Sequence, residues 1–282
     1  MYKNKYTPIS VSVIAVLVMA VYAALFGVYR CNLTIDTPWY LSISYNYCIK
    51  DIDNDATFGG SFPFAMGGTV AFGKLAAMLQ CAALAPFNWS LVAANVLSVV
   101  GVVLGMAAIF VFLVGEGFGR LGAVTCCLAL AATEPFVAMA NQSKYEYVTF
   151  LLAVCGLLLA ARRHVLLAGL VSVLAIEAQP IGIMAPIYLI AYELSRMIQT
   201  RRFRLEFDRV AKLVLGGVLG FAVYFILHPG ILALLAASSN SSGWNAYPNH
   251  FLYGYFFETR LYRHLPELAV FTACFVAHIW RR

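Results

Sequence analysis

Long apolar stretches recur along nearly the whole chain, and this constrains its fold more than any motif does. About 20 apolar residues in helical form cross the hydrocarbon core of a bilayer, where every backbone N–H and C=O must be satisfied within the segment. Eight such stretches are read at roughly 9–29, 90–114, 121–140, 147–161, 165–179, 181–195, 213–234 and 265–280. Composition agrees: 62% of the 282 residues are apolar, 11% are charged and the mean hydropathy is +0.81. A soluble domain carries about a quarter charged residues. The expected fold class is therefore all-α, a polytopic integral membrane helical bundle of about eight transmembrane helices. Residues 1–282 form a single transmembrane domain with a first outer loop at 30–88 and a second at 236–265. The first stretch is too long, and too plainly followed by others, for a cleaved signal peptide.

Orientation follows from the basic residues. With the N-terminus cytoplasmic, the inner segments hold Lys3, Lys5, Arg120, Arg162, Arg163, Arg196, Arg201, Arg202, Arg204, Arg209, Lys212, Arg281 and Arg282, 13 of the 19 Lys and Arg. The outer segments hold Arg30, Lys50, Lys74, Lys144, Arg260 and Arg263. This asymmetry satisfies the positive-inside rule in a plasma or inner membrane. The net charge of +6 then reports topology and gives no reason to expect a nucleic-acid partner. Arg196 to Lys212 reads as a cytoplasmic loop beside anionic membrane lipids. Most of the acids, among them Asp36, Asp51, Asp53, Asp55, Glu134, Glu146 and Glu177, fall on or near the outer side, so any chemistry is expected to face outward.

Both long outer loops carry patterns. Thr37-Pro38 marks a helix start, a hydroxyl cap followed by proline at the first helical position. The residues after it place Tyr40, Ile43 and Tyr47 on one face, as in a short helix lying in the membrane interface. A second interfacial helix is expected near Val70 to Leu84, interrupted by Lys74, which must snorkel outward or point into a polar cavity. The second loop interleaves Trp244, Tyr247, Phe251, Tyr253, Tyr255 and Tyr262 with Asn245, His250, Glu258, Arg260 and Arg263. Such aromatics suit an interfacial belt or stacking against sugar faces.

Other residues read more plainly. Cys126, Cys127, Cys155 and Cys274 are small apolar fillers, whereas Cys31 and Cys48 share the first outer loop and could pair in an oxidising compartment. No cysteine or histidine spacing suggests a metal. Asp51-Ile52-Asp53-Asn54-Asp55 fails as a calcium loop, since Ala56 and Phe62 stand where glycine and glutamate are needed. An Asp-x-Asp pair compatible with Mg²⁺ or Mn²⁺ and a solvated acidic turn both stay open. Glu134-Pro135 and Glu177-Ala178-Gln179-Pro180 are expected at outer span ends, where the acids reach water. His228-Pro229-Gly230 breaks the seventh stretch; His228 is either a functional group at membrane depth or a helix-end histidine bonded to a free carbonyl. Asn-x-Ser/Thr triplets at Asn32, Asn88, Asn141 and Asn240 matter only in a host that glycosylates its lumen.

Asp36 with Tyr40 and Leu41, Lys74 within Phe72-Gly73-Lys74-Leu75, and Lys144-Tyr145-Glu146 at the opening of the fourth stretch together set a family resemblance. In this order of parts the chain resembles the membrane glycosyltransferases of GT-C type, such as protein O-mannosyltransferases and lipid A aminoarabinose transferases. Asp36-x-x-x-Tyr40 resembles the acid-x-x-x-Tyr motif of the first outer loop, although Thr37 follows Asp36 where family members often carry a second acid. The resemblance implies transfer of a sugar from a polyprenyl-phosphate donor to a glycan, lipid or protein acceptor at the outer face. It implies Asp36 as catalytic base, with Lys74, Tyr40, Glu146, His228, Arg260 and Arg263 as substrate-binding residues. No cofactor is required by it and a divalent cation is left open. Asp36 read alone is equally an acid favoured by a helix dipole. A transporter or flippase of a lipid-linked substrate, or a non-catalytic membrane subunit, are the competing readings; near absence of ionisable groups in mid-span weakens the transporter.

Overall fold

The computed structural model describes residues 10, 12–18, 20, 21, 36–50, 72–200 and 203–229. The chain divides into Met1–Pro229 and Gly230–Arg282, and every described residue belongs to the first unit. Nine labelled helices order it: α1 Asp36–Lys50, α2 Lys74–Leu84, α3 Leu91–Gly115, α4 Arg120–Ala131, α5 Glu134–Asn141, α6 Glu146–Ala161, α7 Val165–Ala178, α8 Met184–Thr200 and α9 Phe203–Leu227. Short 3-10 turns, Ala85–Phe87 and Pro180–Ile183, follow α2 and α7. The described residues within 10–21 are also helical, and Ile14 and Val18 are fully buried in the core. No strand occurs among the described residues.

The all-helical architecture, with helices apolar and long enough to cross a membrane, matches the reading of the sequence, while eight spans are not seen among the described residues. Among the described residues, three helices are long and apolar enough to cross a bilayer: Leu91–Gly115, Ile181–Ile198 and Phe207–Leu227. A fourth arises if Arg120–Ala131 and Pro135–Asn141, bent by 67°, form one broken span. The stretch expected to run straight through 121–140 breaks there because Pro135 cannot donate an N–H and suits only a helix's first turn. The stretches at 147–161 and 165–179 become α6 and α7, which are apolar but shorter. Arg163, with φ 69°, separates them. The stretch at 9–29 is described only in part, and that at 265–280 lies outside the described residues.

Arg196 to Lys212 is not a loop. α8 continues to Thr200 and α9 begins at Phe203, as arginine, leucine and lysine favour helix. α1 begins at Asp36 rather than at Pro38, and α2 begins at Lys74, so Lys74 opens that helix instead of interrupting it.

Small residues set the tightest helix contact. A Cβ on Gly169 of α7 would meet the Leu213 carbonyl of α9, and one on Gly216 would meet the Leu166 carbonyl. A Cβ on Gly220 would come within 2.9 Å of the Leu170 carbonyl oxygen. Gly216 and Gly220 stand four apart on one face of α9, the spacing that lets two membrane helices bring their backbones together. α3 and α6 meet differently. Rings of Tyr147 and Phe150 fill notches at Gly101 and Gly105, and this increasing pairing makes the two helices parallel.

Candidate functional site

The site grows from the start of α2. Gly73 precedes the helix at φ +85°, a left-handed conformation that costs glycine little, and a Cβ there would strike the Tyr145 ring. Its N–H donates to the Glu177 main-chain oxygen. The next two amides donate to the Glu177 carboxylate: Lys74 N to Oε1 at 2.7 Å, and Leu75 N to Oε1 and Oε2 at 3.2 and 3.3 Å. The carboxylate therefore closes the positive end of the α2 dipole. Nε2 of His228 lies 2.9 Å from Oε1 on the other side, and both side chains are buried. The His228 ring also stacks at a tilt on Tyr224, 5.1 Å between centroids.

A second set of polar groups adjoins it. Gln179 Nε2 donates to the Tyr40 hydroxyl at 3.3 Å, while Gln179 Oε1 is buried without a hydrogen-bond partner among the described residues. The Tyr145 hydroxyl donates to the Tyr40 carbonyl at 3.3 Å and lies 2.9 Å from Ser44 Oγ. Ser44 Oγ contacts Gln80 Oε1 at 2.7 Å, Gln80 Nε2 donates to the Ser143 carbonyl at 3.1 Å, and Ser143 Oγ donates to Asn95 Oδ1 at 2.8 Å. Burial pushes the Tyr145 phenol well above its ordinary range, so it serves as a neutral group. Lys74 Nζ stands 5.7 Å from the centre of the Tyr47 ring. α1 is joined to α2 by a disulfide between Cys48 and Cys81. The expected partner of Cys48 was Cys31, which lies outside the described residues; helix pairing brings Cys81 to it instead, with Cα atoms 5.5 Å apart.

The structure brings some of the residues singled out in the sequence together and leaves others apart. Tyr40, Lys74 and His228 come to one end of the bundle, around the last turn of α7. Glu146 is half-buried in the first turn of α6, directly after Tyr145. Asp36 is the first residue of α1, one turn before Tyr40; its side chain lies outside what is described, as does that of Glu134. Arg260, Arg263, the second outer loop and Asp51, Asp53 and Asp55 also lie outside the described residues. One expectation is overturned: Glu177 does not reach water but is fully buried, because its carboxylate satisfies the α2 amides. His228, left open between a functional group and a helix-end histidine, bonds that carboxylate. The missed members, Glu177, Gln179, Ser44, Gln80 and Tyr145, carried one usable signal: an acid at the end of an apolar stretch is a functional candidate by default.

The opposite end of the bundle has its own polar set. Arg209 of α9 binds Glu193 of α8 and the Ala160 carbonyl of α6. Tyr192 donates to Glu116 at 2.9 Å, and Arg196 donates to the Tyr192 hydroxyl at 3.3 Å. Among the described residues no group of three His, Cys, Asp or Glu is placed to hold a metal. Chemically, the Glu177 end offers a fixed carboxylate, an imidazole hydrogen-bonded to it, a lysine and a buried amide oxygen with no partner among the described residues. Comparison with protein-family models, curated proteins and solved structures finds no match to this chain.

Proposed function

We propose that the protein is a membrane glycosyltransferase of GT-C layout. It moves a sugar from a polyprenyl-phosphate donor to a glycan, lipid or protein acceptor at the outer face, with Asp36 as general base. One observation carries the reading: Tyr40 and Lys74, far apart in sequence, converge on the last turn of α7, Tyr40 at Gln179 and Lys74 at Glu177. Asp36 opens the same helix as Tyr40, four residues before it. Gln179 Oε1, which has no hydrogen-bond partner among the described residues, suits a donor such as a sugar hydroxyl.

In this mechanism Asp36 takes the proton of the acceptor hydroxyl as its oxygen attacks the anomeric carbon. The bond from that carbon to the phosphate oxygen breaks, and polyprenyl phosphate leaves. Charge developing on the phosphate is met by Lys74, with Arg260 and Arg263 as further candidates. The apolar tail of the donor stays among the membrane lipids. A disulfide between Cys48 and Cys81 belongs to an oxidising compartment, which supports an outward-facing Glu177 end and a cytoplasmic Arg209 end. The test is Asp36→Asn in proteoliposomes supplied with polyprenyl-phosphate sugar. Transfer should fall by about 100-fold or more while insertion is unchanged. Wild-type rates in that variant would remove the mechanism.

A further inference from the structure

We infer that Glu177 is a positioning residue for Lys74: its carboxylate, braced by His228, holds the first turn of α2 and so sets where the Lys74 ammonium stands beside α1. The inference rests on the reading of Lys74 as the group that meets the donor phosphate.

Three consecutive N–H groups, those of Gly73, Lys74 and Leu75, all end on Glu177. The first amides of a helix have no intrahelical partner and ordinarily rely on a nearby serine, threonine or aspartate. Here the cap position is glycine and no side chain of α2 caps its own start. α2 has only 11 residues, too few to hold together without tertiary support. The Cys48–Cys81 disulfide and the Gln80 hydrogen bonds hold the later turns of α2, so it is the first turn whose placement follows from where Glu177 sits.

Lysine is also the wrong charge for a helix's first position, since it faces the positive end of the dipole. The buried carboxylate offsets that conflict, and a local rule broken and compensated at one place is the pattern expected of a functional site. Glu177 is fully buried, and its oxygens are occupied by two amides and an imidazole, so it acts through Lys74 and not on the substrate. His228 fixes the carboxylate from α9, which couples the end of that helix to the start of α2.

The experiment is a double-mutant cycle of Glu177→Gln and Lys74→Ala in proteoliposomes with polyprenyl-phosphate sugar. Glu177→Gln should raise KM for the donor about tenfold with kcat nearly unchanged, the scale of a weakened charge-assisted bond. In the Lys74→Ala background Glu177→Gln should have no further effect. An unchanged KM, or effects that multiply, would overturn the inference. A second measurement does not need transfer: the rate at which a soluble acylating reagent modifies Lys74, read by mass spectrometry against Lys212. Glu177→Gln should change the Lys74 rate several-fold and leave Lys212 alone; equal Lys74 rates overturn the inference. If wild type transfers no sugar but Lys74 labelling still responds, the transferase reading alone fails. Should Glu177→Gln not insert, Glu177→Asp keeps the charge, withdraws the oxygens by one methylene and gives the same readouts.

Discussion

Arg209 grips Glu193 with two bonds, Nε to Oε2 at 2.8 Å and Nη2 to Oε1 at 2.7 Å. Glu193 is fully buried, while the Arg209 side chain keeps 13% exposure. Arg209→Ala should therefore cost more than Glu193→Ala, because it strands a buried carboxylate whereas the guanidinium can still reach water. Breaking such a pair costs on the order of 3 kcal/mol, and replacing both partners by apolar residues of similar size, Glu193→Leu with Arg209→Met, should cost less than either single change. Thermal unfolding in detergent gives the ranking.

Gly216→Ala should destabilise the protein by about 1–3 kcal/mol, since the new methyl is forced into the Leu166 carbonyl. Gly217→Ala is its control: a Cβ there meets only Val173 Cγ2, at 4.0 Å. Denaturation of both variants in matched micelles should show a large effect at position 216 and almost none at 217.

Peptide mapping without reductant should recover Cys48 cross-linked to Cys81, with Cys126, Cys127 and Cys155 alkylated as free thiols once the protein is unfolded. Cys48→Ser should lower stability by about 2–4 kcal/mol, as expected for losing a closed loop between residues 33 apart. Recovery of Cys48 as a free thiol from oxidised membranes would contradict the α1–α2 pairing.

Tyr145→Phe removes the hydroxyl that donates to the Tyr40 carbonyl and contacts Ser44, at a cost of about 1–2 kcal/mol. The sign of its pH dependence follows from burial, which raises the folded phenol above its ordinary value. That contribution is complete below about pH 10 and is lost as pH rises past the value of the unfolded chain. Stability of the wild type should fall more steeply than that of Tyr145→Phe in alkaline titrations followed by circular dichroism.

Much of the helical layout was legible in one dimension. Leu91–Gly115 falls almost on the expected 90–114, and the helix after Asp36 was marked by Thr37-Pro38 and by the Tyr40, Ile43 and Tyr47 face. Boundaries failed where the cause was non-local or too short to register. Pro135 reads as a stop at a span end but stands in the first turn of a helix bent by 67° from the one before it, and the Arg196–Lys212 basic run hides two helices because charge marks a membrane side and not a backbone conformation.

Apolar runs, basic asymmetry and caps report on neighbours in sequence, and a bilayer supplies an external ruler against which those runs can be measured. The amino acids alone therefore pointed to an all-helical chain with apolar helices that fit a membrane, and singled out Tyr40, Lys74 and His228. The folded chain alone supplied Glu177, because its meaning depends on the Gly73–Leu75 amides about a hundred residues earlier and an imidazole 51 residues later. A buried carboxylate is stable only where donors from other helices surround it, and no spacing rule within one segment encodes that meeting.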